Sequence, residues 1–127
     1  RRRTPTGVPL RAGRRGRVFR IHSFNANTLM TLDELWPKAV RETLPPLGAT
    51  EGKADPLCRV KFFYPDFSWS WYAIEFDGDD TCFGLVDGFE KELGYFRLSE
   101  LLENRGKLGL EIERDLYFTP KRLSELR

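Results

Sequence analysis

Alternating apolar and polar positions in the middle of the chain predict a series of β-strands. The strongest signal is Trp69–Asp77, because aromatic and β-branched residues fill it. Cys58–Tyr64 precedes it with basic residues between apolar ones, and Thr81–Val86 and Leu93–Leu98 follow it. The connections are short and rich in Gly, Asp and Pro, which favours hairpins. We therefore expect an α+β fold with an antiparallel, four- to five-stranded meander sheet and short helices packed against it.

The period of two along Trp69–Asp77 assigns its side chains to two faces of the sheet. The odd-numbered positions share one face and the even-numbered positions the other: Trp69, Trp71, Ala73 and Glu75 against Ser70, Tyr72, Ile74 and Phe76. Glu75 then shares a face with two tryptophans, which is an unfavourable place for an acid without a partner.

Leu110–Phe118 is compatible with a strand or with a helical turn, and we favour the strand. As a strand it places Arg114 among the apolar residues of one face. A structural ion pair between Arg114 and either Glu75 or Glu92 would satisfy the charges, since a semi-buried charge needs a partner. The alternative is acid–base or metal chemistry by the carboxylates of this region, which are Glu75, Glu92, Glu113 and Asp115.

Short helices are predicted on both sides of the strands. Thr31 and Glu34 have capping-box spacing. However, Pro37 would interrupt a helix that began there, so we expect the helix proper to run from Pro37 to Leu44. Pro45-Pro46 then ends it.

Two more helices are expected after the strand Leu93–Leu98. Ser99 is predicted to cap a helix over Glu100–Asn104. Thr119-Pro120 has the cap-then-proline pattern that opens a last helix.

Charge divides the chain sharply. The whole chain has a net charge of +2, and the eight arginines of residues 1–20, with no acid among them, leave −6 for the remainder. Residues 1–29 are expected to be a basic extension that is flexible or not native, with the natural start at Met30, the one methionine. Residues 30–127 are expected to form a single domain. If the arm is native, it predicts sequence-independent nucleic-acid binding through Arg11, Arg14, Arg15, Arg17 and Arg20.

The sequence lacks the residue patterns of several classes of enzyme. The one histidine is His22, and neither a GxSxG nor a GxxxxGK[ST] pattern occurs. We therefore lean against an enzyme and expect no cofactor and no metal. Asp77, Asp79 and Asp80 are interpreted as hairpin-turn residues rather than cation ligands. No stretch approaches the roughly 18 apolar residues of a membrane span, so no membrane contact is expected.

Cys58 and Cys82 lack CxxC spacing and are expected to be buried thiols in a reducing, cytoplasmic compartment. The aromatic residues of the sheet are the remaining candidates for binding. These residues are Trp69, Trp71, Tyr72 and Tyr95. Packing in the core is the interpretation that we favour for them, and recognition of another protein is the next. Stacking on nucleic-acid bases is disfavoured because the domain is acidic.

Residues 35–126 resemble a bacterial family known as domain of unknown function 2958. The resemblance is carried by ordered motifs: Leu44-Pro45-Pro46-Leu47, Lys61-Phe62-Phe63, Trp69-Ser70-Trp71-Tyr72-Ala73-Ile74-Glu75-Phe76-Asp77, Phe83-Gly84-Leu85-Val86, Glu92-Leu93-Gly94-Tyr95-Phe96, Arg105-Gly106 and Ile112-Glu113-Arg114-Asp115-Leu116-Tyr117-Phe118. It implies a small cytoplasmic protein of mobile genetic elements, plasmids and phages, near anti-restriction genes, and identifies no reaction.

We expect a non-catalytic binding or accessory protein that acts through protein contacts, with an anti-defence role as one form of this. One alternative is a nucleic-acid-associated module that uses the arginine arm. A second is an enzyme or ligand binder that uses Glu75, Glu92 and Arg114. Asp115 completes the candidate binding residues.

Overall fold

The computed structural model describes residues 30–127 and the backbone of Arg17–Val18. Its strands are β1 (Arg17–Val18), β2 (Leu57–Cys58), β3 (Val60–Phe63), β4 (Ser70–Phe76), β5 (Thr81–Asp87), β6 (Lys91–Arg97), β7 (Glu113–Arg114) and β8 (Lys121–Arg122). Its helices are α1 (Leu32–Leu35), α2 (Lys38–Arg41), α3 (Leu98–Glu103) and α4 (Leu123–Leu126). None of these four helices has the length of a membrane span.

The main sheet has the strand order β1-β6-β5-β4-β3-β7. Strands β3 to β6 form an antiparallel meander, with β7 antiparallel to β3 and β1 parallel to β6. Strands β2 and β8 form a separate two-stranded sheet. The predicted α+β fold with a meander sheet is therefore confirmed.

One face of the main sheet packs against the short helices. Trp36, which follows α1, is 1% exposed and contacts the rings of Phe62 and Phe76 edge-on, at centroid distances of 5.4 and 4.6 Å. Leu98 and Leu101 of α3 belong to the same buried cluster. Burial of several large side chains of this kind stabilises the fold by roughly 1.5–3 kcal/mol each.

The opposite face carries two smaller clusters. Tyr72, Ile74 and Leu85 pack with Leu123 of α4 in one. The second contains Leu47, Phe83 and Tyr95. The sheet is therefore apolar on both faces, which explains why its central strands are buried along most of their length.

A β-bulge changes the predicted faces of β4. Ala73 pairs with Gly84 and Glu75 pairs with Phe83, so Ile74 is the extra residue. Phe76 consequently packs with Trp71 on the helix-covered face. Glu75 shares the face of its partner Phe83 instead of the tryptophan face. The predicted alternation was thus right up to Ile74 and wrong from Glu75 onward.

The predicted helix Pro37–Leu44 was also wrong in its limits. Thr31 and Glu34 form a complete capping box for α1, in which Glu34 N–H donates to Thr31 Oγ1 at 3.2 Å and Thr31 N–H donates to Glu34 Oε1 at 2.9 Å. Because α1 ends at Leu35, Pro37 does not interrupt it. Pro37 is instead the N-cap of a second short helix, α2.

Two predicted helix caps, Ser99 and Thr119, were wrong. At each helix an aspartate from a distant part of the chain accepts the hydrogen bonds instead. Ser99 lies inside α3, and its N–H and hydroxyl both donate to the carboxylate of Asp80, at 2.8 and 2.5 Å. Thr119-Pro120 is followed by β8 and not by a helix. Asp55 instead accepts hydrogen bonds from the N–H and hydroxyl of Ser124 in α4, both at 2.8 Å.

Leu110–Phe118 contains a strand of two residues only, β7. Ile112 is buried, as predicted for the apolar face, but Leu110 and Leu116 are 47% and 69% exposed. The favoured strand was therefore right in type and too long, because the ladder with β3 ends after Arg114 pairs with Phe62.

Candidate functional site

Glu75 is a buried structural carboxylate. Its side chain accepts hydrogen bonds from the backbone N–H groups of Gly48 and Thr50, at 2.7 and 2.8 Å, and from the Thr50 hydroxyl. The residue is 0% exposed. Hydrogen bonds to a charged acceptor offset the cost of burying it, and they hold the segment after Pro45-Pro46 against the sheet.

The predicted ion pair of Arg114 with Glu75 or Glu92 was wrong. Arg114 Nε donates to the backbone carbonyl of Leu35 at 3.1 Å, which links β7 to the end of α1. Among the ion pairs between described residues, none includes Arg114. Glu92 lies on β6, opposite Val86 of β5 and away from β7.

Asp115 is bound by groups on its own edge of the sheet. Its carboxylate lies 3.8 Å from Lys61 Nζ and accepts a hydrogen bond from Tyr117 N–H at 2.9 Å. Its backbone N–H donates to Lys61 O at 2.9 Å. Glu113 is exposed beside it. These acids are not brought together with Glu75, which lies in the bulge of β4.

The four aromatic candidates are divided between the two faces of the sheet. Trp71 packs on the helix-covered face, whereas Tyr72 and Tyr95 pack on the other. These three are 2%, 8% and 5% exposed, as core packing predicts. They therefore form no common platform for stacked bases, and Trp69 alone among the four lies at the surface, half-buried.

Trp69 is the centre of a surface cluster at one end of the sheet. The Phe67 ring stacks on it with a centroid distance of 6.1 Å and an interplanar angle of 22°. Phe89, in the β5–β6 turn, contacts it edge-on at 5.2 Å. Phe67 and Phe89 are 38% and 94% exposed. The close approach depends on Gly88, since a Cβ there would lie 2.7 Å from the Trp69 ring.

A third loop is attached to this end of the sheet through Asp66. The Asp66 carboxylate accepts hydrogen bonds from the N–H groups of Leu108 and Leu110, at 2.6 and 3.2 Å. Gly106 is needed here, because a Cβ would lie 1.4 Å from Asp66 Oδ1. Leu108 is 84% exposed. We call the surface formed by these three connections the apolar end: Phe67, Trp69, Phe89, Leu108 and Leu110.

Asp77 forms hydrogen bonds within the β4–β5 turn, as predicted for a hairpin-turn residue, whereas the Asp80 carboxylate accepts from Ser99. Asp77 Oδ1 accepts from the backbone N–H groups of Asp79, Asp80 and Thr81 at 2.8 to 3.1 Å. Across residues 30–127 there is no group of three or more His, Cys, Asp or Glu placed to hold a metal ion.

Both thiols are free and buried, as predicted. Burial raises the pKa of Cys58 to about 12, with a smaller contribution from the negative charge of Asp55. Burial also raises the pKa of Cys82 well above its usual value. Neither thiol is therefore a nucleophile at neutral pH, since the thiolate is the reactive form.

The arginine arm falls largely outside the described residues. Side-chain positions are not described for Arg11, Arg14, Arg15, Arg17 or Arg20, so nucleic-acid binding through them stays a prediction. The backbone of Arg17 and Val18 pairs with Gly94 and Tyr95 in β6.

Most of the apolar end was not predicted from the sequence. The sequence predicts Trp69 as a strand aromatic and Leu110 as part of the apolar face of a strand, but it does not single out Phe67, Phe89 or Leu108. A signal was present, because Pro65-Asp66-Phe67 and Asp87-Gly88-Phe89 each place an aromatic residue inside a turn. Turn positions are usually polar, so an aromatic residue there indicates a contact or a binding surface.

Comparison with known proteins assigns the chain to a family. The model of a family described as "Protein of unknown function (DUF2958)" matches residues 35–126. No curated protein and no solved structure matches the chain.

Proposed function

This chain belongs to the DUF2958 family of proteins of unknown function, and from that premise we propose that it is a non-catalytic binding protein that acts through protein contacts at its apolar end. The observation that carries the proposal is the exposure of Phe67 and Phe89 around Trp69, with the exposed Leu108 on the loop bound to Asp66. Contiguous apolar groups at the surface of a small protein are typical of interaction sites, and aromatic side chains are favoured anchors there.

The apolar end is held in place before any partner binds. Trp69 contacts the buried Trp71 ring at a centroid distance of 6.1 Å, so the surface cluster is continuous with the core. Asp66 attaches the Leu108 loop to the β3–β4 turn. A surface arranged in advance loses little conformational entropy on binding, which favours affinity.

Charge at this end favours a protein partner over nucleic acid. Asp66 and Glu90 lie in the two turns that carry Phe67 and Phe89, and Asp87 ends β5 beside them, whereas the loop of Leu108 adds the exposed Lys107. Phosphate contacts supply most of the affinity of nucleic-acid binders, and carboxylates oppose them. We therefore propose a partner protein that presents apolar side chains to this surface.

The proposal also includes the biological context in which this chain binds its partner. The family motifs imply a bacterial, cytoplasmic protein of plasmids, phages and other mobile elements. An adaptor or inhibitor that binds a host defence protein would fit such a setting, since it needs a binding surface and no catalytic group.

Affinity capture from the encoding bacterium tests the proposal. The tagged full-length chain is compared with a Phe67→Ser/Phe89→Ser variant and with Tyr117→Ser as the matched control. Tyr117 is 93% exposed but lies on the β7–β8 connection. We expect a partner that the wild type and Tyr117→Ser retain and the double variant loses. The purified partner should show the same order of affinities.

Three results would contradict the proposal. One is equal binding by all three proteins. Another is recovery of ribosomes and RNA alone. A partner that is lost only when the arginines of residues 1–20 are neutralised would indicate the nucleic-acid or arm-dependent alternative instead.

A further inference from the structure

A cleft beside α2 has apolar walls and two arginines in its lining. It has a volume of about 320 Å³ and lies between α2 and the sheet edge at β7. Val40, Phe118 and Pro120 contribute to its apolar lining, and Arg59 and Arg114 supply positive charge. The volume is at the lower end of the range of roughly 300–1,000 Å³ that is typical of small-molecule sites.

The backbone of Arg59 is hydrogen-bonded to the sheet, whereas its guanidinium has no polar partner among the described residues. It lies between β2 and β3, where its N–H donates to Ala73 O at 2.9 Å. Within the described part of the chain, its guanidinium has neither a hydrogen bond nor an ion pair. The residue is only partly exposed and lines this cleft.

Arg114 is oriented by one bond and keeps its other donors. Nε donates to Leu35 O, while Nη1 and Nη2 have no partner among the described residues. The acid in the lining of this cleft, Asp115, already binds Lys61 and Tyr117 N–H. The cleft therefore contains two arginines and no unoccupied carboxylate to neutralise them.

Positive charge continues beyond this cleft. Arg59 also lines a neighbouring cleft of about 240 Å³, together with Lys53 and Arg122. The acid of that second lining, Asp55, is bound by the N–H and hydroxyl of Ser124. Although residues 21–127 are acidic overall, this surface presents mainly cations.

We infer that the Arg59–Arg114 cleft binds a small organic ligand through an oxyanion, either a phosphate or a carboxylate. Guanidinium groups present paired donors that match the oxygens of both anions. The apolar wall of Val40, Phe118 and Pro120 would contact the hydrocarbon part of the ligand. This site is independent of the apolar end and of any partner protein that binds there.

Titration of the isotope-labelled full-length chain by NMR tests the inference. The probes are phenyl phosphate, benzoate and, as the uncharged control, benzyl alcohol, all at constant ionic strength. We expect saturable shifts at the Val40 and Arg114 amides with an anionic probe and none with benzyl alcohol. Tighter binding of phenyl phosphate would assign the site to phosphate, and tighter binding of benzoate would assign it to carboxylate. A site-resolved signal is needed because the eight arginines of residues 1–20 can also attract anions.

Two variants identify the groups responsible. Arg59→Gln should weaken binding by about tenfold or more, as expected for loss of a charge-assisted hydrogen bond. We expect little loss of stability, because the guanidinium has no hydrogen bond or ion pair to a described residue. Arg114→Gln should weaken binding as well. Arg97, at the end of β6, forms a surface ion pair with Asp80 of the β4–β5 turn. Arg97→Gln removes the same charge there and should leave binding unchanged. Absence of saturable shifts, or equal binding by Arg59→Gln and the wild type, would overturn the inference.

Discussion

Glu75 Oε2 accepts a hydrogen bond from the backbone N–H of Thr50 at 2.8 Å, across 25 positions of sequence. The Asp80 carboxylate accepts in the same way from Ser99 N–H, and the Asp66 carboxylate from Leu108 N–H, across 19 and 42 positions. Each carboxylate accepts from a backbone N–H group that is distant in the sequence. The helices of this domain are short, so these long-range bonds hold its loops and helix ends to the sheet.

We predict that Glu75→Gln lowers the free energy of unfolding by about 2–3 kcal/mol. The substitution removes the negative charge that accepts from Gly48 and Thr50, and hydrogen bonds to charged groups contribute roughly 1.5–3 kcal/mol. Urea unfolding at pH 7 measures the change. Glu113→Gln is the matched control, because Glu113 is exposed on β7. Equal stability of the two variants would contradict the structural role of Glu75.

Features with a local cause could be predicted from the sequence. The strands β4 and β5 were placed to within a residue, because apolar alternation and turn residues are properties of neighbouring positions. The hairpin at Asp77 was right for the same reason, since its carboxylate bonds only to the next few N–H groups. The buried, free state of Cys58 and Cys82 agrees with the prediction made from their lack of CxxC spacing.

The errors share a different cause, which is interaction at long range. The bulge at Ile74 moves Glu75 to the face where it meets Gly48 and Thr50, and no local pattern encodes that meeting. The predicted caps at Ser99 and Thr119 failed because Asp80 and Asp55 supply the acceptors from distant positions. The apolar end was missed because three separate connections form it.

We predict that both thiols are unreactive in the folded protein. At pH 7 to 8, a thiol reagent such as Ellman's reagent should label neither cysteine until urea unfolds the chain, after which it should label both. Rapid labelling without denaturant would show that Cys58 or Cys82 is accessible, contrary to its 0% exposure.

We also predict that stability falls at alkaline pH. The Cys58 thiol has its pKa raised from 9.0 to about 12 by burial, so the unfolded chain releases this proton at lower pH than the folded chain. The free energy of unfolding should therefore decline as pH rises from about 9 to 12. Urea unfolding at several pH values measures the slope. Cys58→Ala should show a shallower decline, and an unchanged slope would contradict this assignment.

Gly88→Ala should displace the Trp69 ring. The added Cβ would lie 2.7 Å from three ring atoms, closer than van der Waals contact allows, so the ring or the turn must move. We expect a loss of about 1–3 kcal/mol in stability, as for other overpacked sites, and a changed near-ultraviolet circular dichroism signal. Ser68→Ala is the control, because Ser68 is exposed in the β3–β4 connection. An unaltered spectrum would show that the aromatic cluster does not depend on Gly88.

The Phe67→Ser/Phe89→Ser variant should remain as stable as the wild type to within about 1 kcal/mol. Phe89 is 94% exposed and Phe67 is 38% exposed, and exposed substitutions usually change stability by less than about 0.5 kcal/mol each. Thermal unfolding measures the difference. Phe62→Ser provides the contrast, because Phe62 is 0% exposed and contacts Trp36, and its truncation should cost about 3 kcal/mol or more. If the surface variant unfolded as readily as Phe62→Ser, Phe67 and Phe89 would be part of the core. Full stability together with a lost partner would instead mean that the domain exposes these rings for binding.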